Sequence, residues 1–538
     1  MKRKKVIAIL IAFILVLSAC GSNKEQNGKE SKSDFITSAG KGNSLKIVAG
    51  SENKVLEPII EKYAKKKGKK IEMNYLGSLD IMRMLQSENI EYDAVWPASN
   101  IWLTMGDTNR VLKHTETTSI TPVIFGIKES LAKELGFVGR DDVKLREIID
   151  AIESGKLKFA MTSATQSNSG ASSYLAFLTA LSENPEAGLT SADLKDENLI
   201  KDIKSLLSGV NRSSGSSNWL VDLFLMDDYD AMVNYEQLII QTNIELEKKG
   251  REPLYAVYPV DGISISDSPL AYIDKGDKSK EKDFLDFQEY ILSESAQSEI
   301  EKTGKRNAYS NISEANKGIY KAEWGINPDK ILSPIRLPQG DVISEALNLY
   351  QTSFKKPALT VYVLDYSGSM YGDGRDQMIA ALEQVMLPEN ASANLLLGTS
   401  EDKTYLLPFS QSVGQYYQVE GNDLTSLYDN ARAMETGGGT ALYEAASQAL
   451  DIIDNETELS KYSPAIVLLT DGAANGSMNI KDLENRYNSF GKDVPIFSIM
   501  FGKAKEEELE SIAKLTNARV FDGRKDLIKA FQSVKGYN

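Results

Sequence analysis

A continuous apolar segment that runs directly into an acidic, hydroxyl-rich loop places the strongest constraint on the C-terminal part of this 538-residue chain. Residues 359–364 are β-branched or apolar almost throughout, which predicts a strand buried on both faces of a parallel sheet. Asp365-Tyr366-Ser367-Gly368-Ser369 follows at once, so a carboxylate and two hydroxyls recur at every second residue. Because open α/β sheets carry their ligand sites at the carboxyl ends of strands, the sequence predicts a polar site at this loop.

Two later segments supply further oxygen atoms. Thr440 ends a Gly-Gly-Gly-Thr turn before a predicted helix over 441–453, and Asp471 follows a predicted strand over 465–469. A set of two carboxylates and three hydroxyls favours a hard divalent cation such as Mg²⁺ or Ca²⁺ over zinc. Each of these segments alone is typical of an ordinary turn. Their order, with each segment after a strand or before a helix, favours a metal site that leaves the cation able to take one more carboxylate from a partner.

These segments carry a resemblance to a known family. Residues 357–538 resemble the von Willebrand factor A domain with an intact metal-ion-dependent adhesion site. The five motif positions of that site are matched by Asp365, Ser367, Ser369, Thr440 and Asp471. The resemblance implies a Rossmann-like α/β fold in which the two Ser and the Thr ligate the cation directly and the Asp residues act largely through water. It also implies Mg²⁺ as the cofactor, with Ca²⁺ or Mn²⁺ as alternatives, and a protein partner that supplies a carboxylate.

Charge and reactive residues exclude several functions. The formal net charge of −15 argues against nucleic acid or an anionic membrane surface as an electrostatic partner. A single Cys excludes an internal disulfide, and a single His removes most hydrolase and catalytic-triad chemistry. The chain also lacks a Gly-x-x-x-x-Gly-Lys phosphate loop. We therefore expect a binding protein rather than an enzyme, although some relatives of the C-terminal domain serve in metal insertion alongside an ATPase.

The N-terminus has the pattern of an export signal. Residues 1–5 are basic, residues 6–17 form an apolar run too short to span a bilayer, and Leu17-Ser18-Ala19-Cys20 follows. This tetrapeptide resembles the lipobox of bacterial lipoproteins, which implies a signal peptide over 1–20, lipid attachment to Cys20 and anchoring on the extracytoplasmic face of the cell membrane. An ordinary signal peptide with a chance Cys is the alternative. Residues 21–43 are polar and predict a disordered tether.

Residues 44–340 alternate strands, turns and helices, which predicts an α/β domain with a mostly parallel sheet. Small and polar turns punctuate this region at Ala49-Gly50-Ser51, Leu76-Gly77-Ser78, Ser167-Asn168-Ser169-Gly170 and Tyr258-Pro259-Val260-Asp261-Gly262. Their spacing is similar to that of bacterial extracellular solute-binding proteins of the type II periplasmic-binding class. The resemblance implies two lobes, with chain crossings near residues 121–122 and 258–259 and a ligand cleft between them. Residues 341–356 are predicted to form a connecting helix and linker.

Several residues are candidates for this cleft. Ser51, Ser78 and Ser169 lie where a strand gives way to a helix, and free N–H groups at a helix start can bind an anion or a carboxylate. Capping of the helix alone would explain each Ser equally well. The remaining candidates are Asn168, Tyr235 and Glu236, with Arg212 and Arg306 as charge partners. The predicted ligand is a small polar or anionic solute.

Two functions remain open from the sequence. The first is a lipid-anchored surface protein that captures a protein partner through the metal site. The alternative is the solute receptor of a transport system, with the C-terminal domain as an accessory docking module.

Overall fold

The computed structural model describes residues 33–40, 42–227 and 229–537. The predicted signal peptide, Cys20 and most of the predicted tether lie outside the described residues. The end of the tether differs from the prediction, because Phe35–Ile36 pairs as an antiparallel strand with Glu72 and Met73. Phe35 and Ile36 are the two adjacent apolar residues of an otherwise polar segment, and the edge of a sheet offers their backbone hydrogen-bond partners.

The N-terminal region contains strands that belong to two sheets. They are β1 (Phe35–Ile36), β2 (Leu45–Ala49), β3 (Ile71–Tyr75), β4 (Ala94–Trp96), β5 (Leu112–Thr117), β6 (Ser119–Lys128), β7 (Phe159–Thr162), β8 (Val210–Ser214), β9 (Ala231–Tyr235), β10 (Leu254–Val257), β11 (Ser264–Ser266), β12 (Pro269–Ile273) and β13 (Arg306–Asn307). The first sheet has the order β1-β3-β2-β4-β12-β5, and the second has the order β10-β6-β9-β7-β8, with β11 and β13 also paired to β6. Each sheet organises one lobe.

Helices pack on both sheets. They are α1 (Glu57–Lys67), α2 (Ser78–Leu85), α3 (Asn100–Gly106), α4 (Glu129–Glu134), α5 (Leu145–Glu153), α6 (Asn168–Leu181), α7 (Glu197–Ser208), α8 (Ser217–Met226), α9 (Glu236–Lys248), α10 (Lys278–Leu292), α11 (Glu294–Glu301) and α12 (Gly340–Leu349). No helix in this or any other described part of the chain is long and apolar enough to cross a lipid bilayer.

The first crossing between the lobes lies close to the predicted position, whereas the return lies later in the chain than predicted. The first crossing lies at Thr118, between β5 and β6, and the return lies at Asp267–Ser268, between β11 and β12. The predicted return at 258–259 is too early, because β11 still pairs with β6 of the second lobe. Strands that continue from one sheet into the next without a loop give no local turn signal. The Pro-containing segment at 258–259 is therefore a misleading guide to the return.

The C-terminal domain is a single sheet between two helical layers. Its strands are β14 (Ala358–Asp365), β15 (Lys403–Phe409), β16 (Tyr417–Glu420), β17 (Ser463–Thr470), β18 (Ile496–Met500) and β19 (Val520–Asp522), in the order β16-β15-β14-β17-β18-β19. Its helices are α13 (Asp373–Met386), α14 (Pro388–Ala393), α15 (Thr425–Ala433), α16 (Leu442–Asp454), α17 (Ile480–Phe490), α18 (Glu506–Leu515) and α19 (Leu527–Lys535). The pairing is parallel except at β16. This confirms the predicted Rossmann-like arrangement.

The sequence Ala-Asn-Leu-Leu-Leu over residues 393–397 ends in an apolar run of the kind that predicts a strand, but it does not form one. Residues 393–397 continue from α14 into irregular backbone, with Leu395 in a left-handed conformation at φ 54°. The Pro at the start of α14 presets a helical turn, which overrides the apolar run that follows it.

The connection between the domains is packed rather than free. Helix α12 continues into a π-helix over Tyr350–Phe354, and both place apolar side chains in the core of the second lobe. The Tyr174 hydroxyl of α6 donates to the Ala346 carbonyl at 2.8 Å. Residues from Asp34 onward accordingly form one unit.

Candidate metal centre and interlobe cleft

Asp365 lies at the carboxyl end of β14, between the ends of β15 and β17, and its side chain is fully buried. The Ser367 backbone N–H donates to one carboxylate oxygen at 2.7 Å, and the Thr470 hydroxyl donates to the other at 2.6 Å. Burial raises the pKa of Asp365 above its ordinary value and the nearby charge of Asp471 adds to this, whereas the hydrogen bonds oppose it. The carboxylate is therefore held in one orientation before any ligand arrives.

The two serines connect this loop to the end of β17. The hydroxyls of Ser367 and Ser369 are 3.0 Å apart, and the Ser369 hydroxyl donates to the Asp471 carboxylate at 2.6 Å. Ser367 is buried, whereas Ser369 is exposed. The chain of oxygens thus runs from the interior of the sheet edge to the surface.

Thr440 is brought to the same place by hydrogen bonds between loops. The Gly437 N–H donates to the Tyr366 carbonyl at 2.8 Å, and the Gly368 N–H donates to the Gly438 carbonyl at 3.1 Å. Gly438 has φ +76°, a conformation that favours glycine. These bonds fix the glycine turn against the Asp-x-Ser-x-Ser loop.

Asn475 completes this arrangement, although the sequence analysis did not identify it. Its side-chain oxygen accepts from the Thr440 N–H at 2.6 Å, and its own N–H donates to the Thr440 carbonyl at 3.0 Å. Asn475 is the fourth residue after Asp471, so its position after the second acidic motif was the available signal.

The predicted metal residues converge around Gly472. A Cβ atom at Gly472 would lie 3.3 Å from both the Ser369 and the Thr440 hydroxyl oxygens. Asp471 precedes Gly472, and Asp365 is linked to it through Thr470. The structure therefore brings all five predicted residues to one oxygen-lined position.

The chemistry of these donors fits a hard divalent cation. They are two carboxylates and three hydroxyls, with no nitrogen or sulfur. In the described part of the chain, no three or more His, Cys, Asp or Glu side chains form a group that could hold a metal ion. Metal binding at this position would therefore depend on the hydroxyls and on water as well as on the two carboxylates.

A second candidate site lies between the two lobes, where a cavity of about 240 Å³ is lined by the starts of several helices. Helices α2, α6 and α8 begin there, and none of their N-cap residues, Gly77, Ser167 and Ser216, makes a side-chain cap. The 3-10 helix Ser51–Leu56 begins beside them. Free N–H groups of several helices are thus available to a ligand.

The predicted cleft residues divide into two groups. Ser51, Ser78 and Asn168 line the cavity. Ser169 lies behind it, fully buried, with its hydroxyl 2.7 Å from those of Thr162 and Ser217. The start of α8 was missed, although the run of Ser and Gly before Trp219 resembles the other helix starts.

Glu236 does not line this cavity, contrary to the prediction. Both of its carboxylate oxygens accept from the Arg306 guanidinium at 2.9 Å, and the Tyr258 hydroxyl donates to it at 2.6 Å. Both charged side chains are fully buried. The pair is a structural element of the second lobe, since a buried carboxylate needs such partners.

The lobes are in contact across the cavity. The Asn168 side chain accepts from the Trp102 indole N–H at 2.5 Å and donates to the Tyr235 and Ser266 hydroxyls. The Asn218 side chain donates to the Ser51 carbonyl, also at 2.5 Å. These bonds hold the lobes in a closed arrangement.

A buried acid and base lie beside the cavity and were not predicted. Glu52 is 5% exposed, and its Oε1 atom has no hydrogen-bond partner among the described residues. Burial raises the pKa of Glu52, and the Lys305 charge opposes that rise. The Lys305 ammonium donates to the Asn53 side chain at 3.1 Å.

Two family models match separate parts of the chain. Residues 45–306 match the family model of bacterial extracellular solute-binding proteins, and residues 361–532 match that of the von Willebrand factor type A domain. The chain therefore combines a solute-binding domain with a von Willebrand factor A domain. No curated protein matches the chain in sequence.

Solved structures are similar to this chain over part of its length. The ferric binding protein from Campylobacter jejuni is 15% identical over 57% of this chain and 98% of its own, with a TM-score of 0.40. The periplasmic binding protein AfuA from Actinobacillus pleuropneumoniae is 15% identical over 57% of this chain and 94% of its own, also with a TM-score of 0.40. A von Willebrand factor type A protein from Catenulispora acidiphila is 18% identical over 34% of this chain and 43% of its own, with a TM-score of 0.28.

Proposed function

We propose that this protein is a surface binding protein whose C-terminal domain captures a protein partner through a divalent cation. The observation that carries the proposal is the convergence of Ser369, Thr440 and Asp471 around Gly472, next to the buried carboxylate of Asp365. Mg²⁺ is the proposed ion, with Ca²⁺ and Mn²⁺ as alternatives. When bound, the cation would supply an open coordination position for a carboxylate of the partner.

The residues of this chain have distinct roles in the proposal. Ser367, Ser369 and Thr440 offer hydroxyl oxygens to the ion. Asp365 and Asp471 supply the negative charge that attracts it, and act largely through water. Thr470 and the Ser367 N–H position Asp365, which would otherwise be free to turn. Because the proposed direct ligands are neutral hydroxyls and the two carboxylates act through water, no anionic group of this chain touches the ion, and an anionic group of the partner is attracted to it.

The metal site is tested by comparing Mg²⁺ binding of the full chain with that of Asp365→Ala by titration calorimetry. We expect a loss of affinity of at least about ten-fold, because one of the two attracting charges is removed. Asp429→Ala, an exposed residue of α15, is the matched control and should bind Mg²⁺ like the parent. Ser369→Ala changes only an exposed hydroxyl and repeats the test in case Asp365→Ala perturbs folding. Unchanged Mg²⁺ binding in both site variants would remove the assignment.

Partner capture is tested in cell-envelope extract. The protein should retain a partner in the presence of Mg²⁺ and release it when a chelator is added, and Ser369→Ala should retain less. Titration calorimetry with Ca²⁺ and Mn²⁺, carried out as for Mg²⁺, shows which of the three ions binds most tightly. Retention that is equal with and without chelator would contradict capture through a cation.

The second candidate function is the solute receptor of a transport system, and the cavity between the closed lobes favours it. In that case the C-terminal domain is an accessory docking module. The two functions differ in their metal dependence: partner capture requires the cation, whereas solute binding does not. A solute bound with equal affinity with and without chelator, in a protein that retains no metal-dependent partner, would favour the transport receptor.

We further propose that the chain is anchored by a lipid on Cys20, on the extracytoplasmic side of the membrane. The family model matched by residues 45–306 describes extracellular proteins and supports export. Cys20→Ser should shift the protein from the membrane fraction to the soluble fraction. Export with full membrane retention of this variant would contradict the lipid anchor.

A further inference from the structure

The cavity between the lobes has a wall that the solute-binding domain does not supply. Arg519, Lys529, Ser533 and Tyr537 of the C-terminal domain line it together with the helix starts of the two lobes. Residues 45–306, which match the solute-binding family model, include none of these four side chains.

Close packing holds this wall in place. The Gln166 side-chain amide donates to the Gln532 carbonyl at 2.7 Å, and the Tyr537 ring lies 5.1 Å from the Trp219 ring. A Cβ atom at Gly215 would lie 2.7 Å from the Tyr537 ring, so the close approach requires glycine at this position. Tyr537 is 5% exposed and belongs to a core shared by both domains.

The polar groups around the cavity are suited to a small anion. Helices α2, α6 and α8 present free N–H groups, and the cations Lys54, Arg519 and Lys529 contribute to the walls. Within the described residues, none of these three cations forms an ion pair, whereas the acidic wall residue Asp80 is paired with Arg83 at 2.9 Å. The charges of Arg519 and Lys54 also act on the nearby Asp222 carboxylate, so the protein offsets part of the positive charge of this wall.

Two buried atoms also point to a ligand. Arg519 Nε and Glu52 Oε1 both lack a hydrogen-bond partner in the described part of the chain. The first atom needs an acceptor and the second needs a donor, and leaving either unpaired is unfavourable. An anion that also carries a hydroxyl or amino group would satisfy both.

We infer that the C-terminal domain completes the solute site, and that the composite cavity binds a small anion bearing a hydroxyl or amino group, with Arg519 and Lys529 among its contacts. This rests on the proposed solute cleft but not on the metal site.

The experiment measures binding of inorganic phosphate and of D-glycerate to the full chain by titration calorimetry. Lys54→Gln removes a charge on the lobe side, and Lys529→Gln and Arg519→Gln remove charges on the C-terminal domain. Lys514→Gln is the matched control, since it is an exposed Lys of the same domain that does not line the cavity. We expect at least one probe to bind, and each of the three wall variants to weaken it by roughly three-fold to ten-fold, while the control binds normally.

The outcomes separate the inference from the proposed function. If Lys54→Gln weakens binding but Lys529→Gln and Arg519→Gln do not, the solute cleft stands and the contribution of the C-terminal domain is overturned. If neither probe binds the parent protein, the anionic ligand class is overturned, and the Mg²⁺ titration still tests the metal site by itself.

Discussion

Gly472 is the glycine at which an added methyl group would meet two hydroxyls of the metal site. A methyl group there would lie 3.3 Å from the hydroxyl oxygens of Ser369 and Thr440, closer than ordinary contact. We expect Gly472→Ala to move these hydroxyls by a few tenths of an ångström and to reduce Mg²⁺ affinity about ten-fold, since hard cations require close coordination distances. Titration calorimetry measures the affinity.

Gly437→Ala is the control for this substitution. It lies in the glycine turn before Thr440, and a Cβ atom there meets no atom within 4 Å. It should leave Mg²⁺ affinity unchanged. The free energy of unfolding of each variant, measured in urea, should lie within about 1 kcal/mol of the parent's value, because neither substitution adds a buried polar group. Equal Mg²⁺ affinity in the two variants would show that Gly472 does not border the ion.

The residues of the metal site were accessible from the sequence, because each lies in a short motif directly after a strand or before a helix. Asn475 was not, since its role depends on backbone groups of Thr440 that only the folded loops bring near. Glu236 was assigned to the cleft because it starts a helix after a strand. Its partner Arg306 is 70 residues away in sequence, so the pairing could not be predicted.

The residue directly before β13 is a buried base, and folding changes its pKa. Lys305 is fully buried, and burial lowers its pKa to about 8, against the opposing charge of Glu52. Between pH 8 and about 10.5, the unfolded chain holds a proton on this residue that the folded protein has released. Stability therefore rises with pH in this window, and the full cost of burying the charge is present below pH 8.

Lys305→Met tests this effect through urea unfolding at pH 7, 8.5 and 10. The parent should gain stability relative to the variant as the pH rises, by about 3 kcal/mol at most. Lys302→Met is the control, because this Lys lies three residues earlier with its side chain 51% exposed, and should show little pH-dependent difference. A parent and a Lys305→Met variant with parallel pH profiles would contradict the lowered pKa.

Elements differ in how well the sequence predicts them. The central strands β14 and β17 are continuous apolar runs because helices cover both faces of their sheet, and periodicity identifies such strands directly. The edge strand β16 alternates half-buried and exposed residues, was not predicted, and pairs only with β15. The crossing between β11 and β12 was also predicted at the wrong position, since its place in the chain depends on β11 and β12 pairing in different sheets.

At the scale of the whole molecule, the two domains are joined by a common apolar core rather than by a flexible linker alone. Trp219 and Leu220 of α8 lie in one core cluster with Phe531 and Tyr537 of the C-terminal segment. Helix α19, which carries Phe531, also packs with α13, the helix that follows the metal-site loop. The metal site and the interlobe cavity are thus connected through packed helices. None of these contacts is local in sequence, so the sequence alone does not predict that the two domains pack together.

Arg212 is the polar centre of this interface. It is 5% exposed and bonds the Asp493 carboxylate at 2.8 Å and the Asn517 carbonyl at 2.6 Å, both in the C-terminal domain. We expect Arg212→Ala to lower the free energy of unfolding by about 2–4 kcal/mol, because buried hydrogen-bonded groups lose their partner. Calorimetry should then show two separate transitions where the parent shows one. Arg140→Ala, which breaks exposed ion pairs in the same lobe, should have little effect on stability and keep a single transition. A single transition at the parent temperature in Arg212→Ala would mean that the apolar contacts around Trp219 and Tyr537 alone hold the two domains together.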